Sequence, residues 1–251
     1  MESARIGPYE QPEWTMHRRF ITTRGYVLPP WQVSAELGYD IKSNDEGDVR
    51  HRLTQEIELG LPYRFQLDYE ARGATETGDA AWRFDSQSVE LRWALADWDV
   101  IPTNPTVFAE WTFNDHEADA YEMKLLLADE LGLRWHWGVN LFFEQMVGGE
   151  REREVAGSGA LSYSLWDGVL GIGAEAKLTA ETANEEDYAT FLQLGPSLQW
   201  RIGSHVHFDV APLFGIGHEA PPMQVFALIG VDFFPSEYER EATEPASLRG
   251  R

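Results

Sequence analysis

The chain of 251 residues contains no cysteine and carries 20 basic residues against 42 acidic ones. Without cysteine there are no disulfides, no thiolate metal sites and no cysteine nucleophile. A formal net charge of −22 makes a poor partner for nucleic acid, whose phosphates require a basic footprint. The same acidity opposes simple electrostatic docking on anionic lipid. No apolar run approaches the roughly eighteen residues of a transmembrane helix. A transmembrane β-barrel stays open, because its lipid face takes only alternate residues. No apolar signal segment follows Met1-Glu2-Ser3-Ala4-Arg5, so an exported protein would have to be in its mature form here.

What the chain has in abundance is alternation. Trp31, Val33, Ala35, Leu37, Tyr39 and Ile41 fall on one face, and Gln32, Ser34, Glu36, Gly38 and Asp40 on the other. A period of two means strand. The same pattern runs from Leu133 to Phe143, with Phe142 as a misfit, and from His205 to Ile216, where Leu213 intrudes. Strand-like runs are expected near 31–41, 50–60, 65–73, 83–95, 105–114, 120–128, 132–146, 153–165, 168–180, 188–201, 205–217 and 223–234. Runs of this length match tilted strands that cross a bilayer in about nine to eleven residues.

The connections alternate in kind. Acidic or Gly-rich stretches such as 42–48, 73–81 and 181–187 follow one end of the runs, and tight ones such as Leu61-Pro62-Tyr63-Arg64 and Trp166-Asp167-Gly168 follow the other. Up-and-down outer-membrane barrels have this asymmetry. The expected fold is therefore a single all-β, up-and-down antiparallel transmembrane barrel of about twelve strands over 31–234. A leader or periplasmic plug would occupy 1–30 and a C-terminal tail 235–251. Trp31, Trp98, Trp166 and Trp200 would form a girdle on the short-turn side. Pro196 and Pro212 lie inside expected strands and predict a bulge or a strand boundary at each.

The segment Leu28-Pro29-Pro30-Trp31-Gln32-Val33, followed by Glu56 to Leu67, resembles Gram-negative outer-membrane barrels of the porin or transporter-like group. Members in aromatic-degradation pathways look similar over this stretch, about a fifth of the chain. The resemblance implies an outer-membrane location and a channel role, and carries no catalytic residues. Phe233-Phe234 looks like the aromatic end of a closing strand, although here a tail follows.

Function then rests on the polar half of the pattern. Glu36, Glu56, Glu58, Glu70, Glu90 and Glu110, with Arg92 and Arg134, are the expected lumen and selectivity residues of a passive channel for small solutes. Their acidic excess predicts a mild preference for cations or neutral solutes. No catalytic residue, cofactor or metal site is expected. His205, His207 and Asp209 are the one grouping that could converge on a metal or a hydrolytic site, against the alternative of ordinary lumen polar residues. The loops Asp45-Glu46-Gly47-Asp48 and Glu185-Glu186-Asp187 read as solvated acidic loops rather than calcium sites. The partners implied are outer-membrane lipid, small solutes and a possible periplasmic or surface protein. A barrel that only anchors such a partner, a barrel-embedded hydrolase and a soluble all-β binding protein are the other readings. Residues 1–30 are neutral to slightly basic in an acidic chain, with Arg5, Arg18, Arg19 and Arg24 against Glu2, Glu10 and Glu13. Opposite charge invites docking. Trp14, Arg18, Arg19 and Arg24 are accordingly the expected core of a plug or latch, with a disordered leader as the alternative.

Overall fold

The computed structural model describes residues 2–44, 46–78, 81–148, 152–182, 189–217, 220–235 and 238. The acidic run 185–187, Asp45 and the tail beyond residue 238 lie outside them. Twelve strands form: β1 (Val33–Ser43), β2 (Val49–Leu61), β3 (Phe65–Glu76), β4 (Arg83–Ala94), β5 (Thr106–Asn114) and β6 (Ala120–Leu131). Around the other half run β7 (Trp135–Met146), β8 (Arg153–Trp166), β9 (Leu170–Thr182), β10 (Ala189–Ile202), β11 (Val206–Ile216) and β12 (Met223–Phe233). Each pairs antiparallel with its sequence neighbours, and β12 pairs with β1 from Phe233↔Val33 to Gln224↔Lys42, which closes the barrel.

Turn chemistry sets the two rims apart. Connections at 62–64, 132–134, 167–169 and 203–205 are three residues long, and 95–105 is the long exception on that rim. Gly132, Gly168 and Gly203 take φ of 76°, 70° and 71° in these turns, a backbone region that glycine enters at little cost. Connections on the opposite rim run five or six residues.

The expected prolines behave differently from a bulge. Register between β10 and β11 holds from Leu192↔Ile216 to Ile202↔Val206 and lacks only the rungs at 195–197 against 211–213. Pro196 and Pro212 therefore face each other across one seam. Two absent N–H donors remove the reciprocal pair of bonds there, and with them the rungs on either side. Register shifts occur elsewhere, at Arg72/Gly73 and Ser164/Trp166.

The sidedness is inverted relative to a soluble protein. Leu37, Ile57, Leu91, Leu141, Leu178, Leu194, Phe214 and Ile229 are exposed on the outside, while Glu36, Glu58, Asp68, Glu90, Glu175 and Asp209 are buried inside. An apolar exterior around a charged interior is stable against hydrocarbon and not against water. The misfits Phe142 and Leu213 keep the lumen phase of their strands, and Leu213 is fully buried. Trp31, Trp166 and Trp200 are exposed as a girdle requires; Trp98 is not, being buried edge-on against Trp14 and Tyr26.

The apolar core lies within the barrel and is built largely from the N-terminal segment. Tyr9, Trp14, Phe20, Tyr26 and Val27 pack with Ala94, Trp98, Ala128 and Ala160. A second cluster joins Ile6 and Met16 to Tyr238, with Phe234 against it. The segment starts with a short antiparallel pair, Arg5–Ile6 with Gln11–Pro12, and a 3-10 turn at Glu13–Met16. It leaves the lumen over Gly60, where a Cβ would come within 2.9 Å of the Pro29 carbonyl carbon, so only glycine admits the crossing chain.

Candidate functional site

Strand parity decides which side chains reach the lumen. Glu36 on β1, Glu56 and Glu58 on β2, Glu70 on β3, Glu90 and Arg92 on β4 and Glu110 on β5 all point inward and are buried. Arg134 does not join them. Its turn extends to residue 134 and β7 starts only at Trp135, so Arg134 is exposed on the short-turn rim.

The carboxylates near the short-turn end meet arginines from the N-terminal segment. Arg18 lies 2.5 Å from Glu36 and 2.6 Å from Glu56. Arg24 lies 2.6 Å from Glu56 and 2.9 Å from Glu58. Burial works against the Arg24 charge, but Glu56 and Glu58 hold its proton well above the ordinary range. Arg92 adds contacts of 3.0 Å to both Asp68 and Glu90. The triplets Glu36/Glu56/Glu58 and Glu56/Glu70/Glu90 each bring carboxylate oxygens within 4.8 Å of one another, and these arginines supply their counter-charge.

The rest of the segment is tied to the wall at many points. Arg19 pairs with Glu2 at 3.0 Å and donates to Ser162 and Ser164 at 2.9 and 2.8 Å. Backbone N–H groups of Ile21 and Thr22 donate to Glu175 at 3.1 and 2.8 Å. Trp14 donates to Glu130 at 3.2 Å, and Arg5 reaches Asp99 and Glu130 on the short-turn rim. His17 lies 2.6 Å from Asp232. Burial lowers the affinity of this imidazole for a proton more than Asp232 raises it.

Of the three residues that could have formed a metal or hydrolytic site, only two share the lumen face. His207 is fully buried and its Nδ1 lies 2.7 Å from Asp209, which Arg201 also contacts at 3.2 Å. His205 sits in the turn before β11 and its Nδ1 lies 2.8 Å from the Asp232 carbonyl. The trio does not converge.

Two features of the lumen were invisible before register was known. One is a cavity of about 1070 Å³ that extends from the long-loop ends of the strands to a floor formed by Arg18, Ile21, Thr22 and Arg24. The other is a row of carboxylates. Glu58, Asp68, Glu90, Glu110, Glu122, Glu144, Glu154 and Glu181 are direct cross-strand neighbours from β2 to β9. Barrel strands tilt, so a row running across them climbs along the axis. Glu58 lies near the short-turn end of β2 and Glu181 beside the long-loop end of β9. Like charges directly opposite are destabilising, and six of the eight have an arginine or lysine within salt-bridge distance: Arg92 serves Glu58, Asp68 and Glu90, Arg72 lies 3.1 Å from Glu110, Lys124 contacts Glu122 and Lys177 lies 3.0 Å from Glu154.

No protein-family model matches this chain, and no curated protein matches it. Solved structures do. An outer-membrane channel of the COG4313 group from Pseudomonas putida F1 superposes with a TM-score of 0.62 at 10% identity, over 83% of this chain and 98% of that one. The shared fold is a closed, all-antiparallel β-barrel. The NanC porin superposes with a TM-score of 0.55 at 13% identity, over 81% of this chain and 100% of that one. The KdgM porin does so with a TM-score of 0.52 at 11% identity, over 80% and 99%. At these identities the likeness concerns architecture: a closed antiparallel barrel with an apolar exterior.

Proposed function

We propose that this protein is a bacterial outer-membrane channel for small solutes, with an acidic lumen favouring cations and neutral molecules over anions. The observation that carries the reading is the charged cavity of about 1070 Å³ along the axis of a barrel whose exterior is apolar. A row of carboxylates climbing the wall concentrates cations along that path.

The N-terminal segment acts in this reading as a plug on the periplasmic side. Its arginines neutralise the lower carboxylates, and its aromatic residues fill the lumen where the cavity ends. Reconstitution into a planar bilayer, with the reversal potential measured in a salt gradient, tests both parts. The full chain is expected to conduct weakly with cation preference, and deletion of residues 2–24 to raise single-channel conductance severalfold. Unchanged conductance after deletion removes the plug from the reading. Absence of current in both forms favours a barrel that only anchors a partner.

A further inference from the structure

Above the floor, one wall of the vestibule gathers three arginines among three carboxylates. Arg50 and Arg52 point inward near the long-loop end of β2, and both turn to one carboxylate, Asp85, at 2.9 and 3.8 Å. Arg52 stands opposite Ala74 on β3, and Ala74 stands opposite Arg83 on β4. The methyl group of Ala74 thus leaves a recess between two arginines about two strand spacings, or roughly 10 Å, apart. Arg50, Arg52 and Arg83 all line the large cavity. Other acids near this wall are Asp40 and Glu76, cross-strand neighbours of Arg52 and Arg50. Asp40 accepts a hydrogen bond from Gln224 at 2.7 Å. The Nε groups of both Arg50 and Arg52 are buried and make no hydrogen bond. Two guanidiniums sharing one carboxylate hold more donors than that carboxylate can accept.

We propose that Arg50, Arg52 and Arg83 form an oxyanion-binding station in the outer vestibule, organised by Asp85 and floored by Ala74, for small solutes bearing a carboxylate or phosphate group. Guanidinium forks match such groups in two-point geometry. Asp85 lies within salt-bridge distance of both β2 arginines and offsets their mutual repulsion, and both side chains line the cavity. The station lies toward the long-loop end of the lumen, apart from the lower carboxylates that Arg18 and Arg24 neutralise. Binding there stands without any transport and is independent of the cation preference in the channel reading.

The test is binding to the full-length barrel in detergent micelles, read by phosphorus NMR line broadening for inorganic phosphate and by saturation-transfer proton NMR for succinate. The two probes separate phosphate from carboxylate as the preferred group. Each lost charge-assisted contact is expected to weaken binding at least about tenfold, so Arg50→Gln/Arg52→Gln should abolish measurable binding and Arg83→Gln should weaken it. Lys177→Gln, which removes one positive charge from the other wall of the lumen, should leave binding within about twofold of the wild type. Arg83 is exposed, so its substitution keeps the test valid if the double variant fails to fold. Absence of binding by the wild type, equal loss in Lys177→Gln, or full binding by Arg83→Gln overturns the station. A barrel that binds phosphate or succinate but passes no current would retain the station and refute the channel, which keeps the two failures distinct.

Discussion

Among single residues, Arg24 ties the N-terminal segment to two wall carboxylates at once. Its guanidinium bridges Glu56 and Glu58 at 2.6 and 2.9 Å inside the lumen. Removing one partner of a buried ion pair strands the other, at a cost of about 3–5 kcal/mol. Arg24→Gln should therefore release the N-terminal segment, seen as faster proteolysis of that segment in the folded barrel. Arg24→Lys should recover only part, because a point charge cannot fork between two carboxylates. His17 gives a second handle. Burial holds its proton affinity below the ordinary value of 6.5, so the docked segment prefers the neutral ring. The released segment takes up a proton first, and this contribution to docking is full above about pH 6.5 and declines as pH falls below it. Segment cleavage should rise more between pH 8 and pH 5 in the wild type than in His17→Gln; equal rises would refute the role given to His17. Which residues face the lumen was legible from parity alone, as Glu36 through Glu110 illustrate. Arg134 was lost to a shift of a strand start, since parity has no meaning in a turn. The partners of Arg18 and Arg24 were legible only as opposite charge, because neither contact is local in sequence.

At the scale of elements, all twelve strands follow from alternation and tight turns, with ends displaced by a few residues. The proline seam did not follow. Each proline read alone predicts a bulge, and only the register of β10 against β11 reveals that Pro196 and Pro212 occupy one rung. Replacing both with valine should restore two backbone bonds, worth about 1 kcal/mol each. The check is a raised urea midpoint for folding into vesicles together with new amide protection at both positions; new N–H groups that remain unprotected would show that the strands are held apart for another reason. The N-terminal segment was the least legible element, since it has neither period and takes its shape from the cavity it fills. Gly60 marks its exit, and Gly60→Val should displace the Pro29 crossing and expose residues before it to protease without unpairing β2 from β3. Loss of the whole barrel instead would mean that the segment is needed for closure.

For the molecule as a whole, the decisive property is which face meets hydrocarbon, and the sequence alone leaves both signs open. A soluble barrel with apolar residues inside would alternate just as well. Closure with Leu141 outside and Glu144 in the cavity breaks that symmetry. It predicts opposite tolerances on one barrel: Leu141→Arg places a charge in lipid and should cost about 2–4 kcal/mol in vesicle folding if it lies near the bilayer midplane. Thr112→Arg, lining the cavity, should cost far less. The same closure creates the carboxylate row, which no reading of single strands could find, because it depends on register across eight of them. Glu122, Glu144 and Glu154 form three consecutive positions of it, on β6, β7 and β8. Converting all three to glutamine removes three charges from the lumen wall while keeping size and polarity. If the row guides cations, the reversal potential in a salt gradient should move toward zero, whereas neutralising Glu46 in an exposed loop should leave it nearly unchanged. Equal shifts from both would assign selectivity to the overall acidity of the surface and take it away from the row.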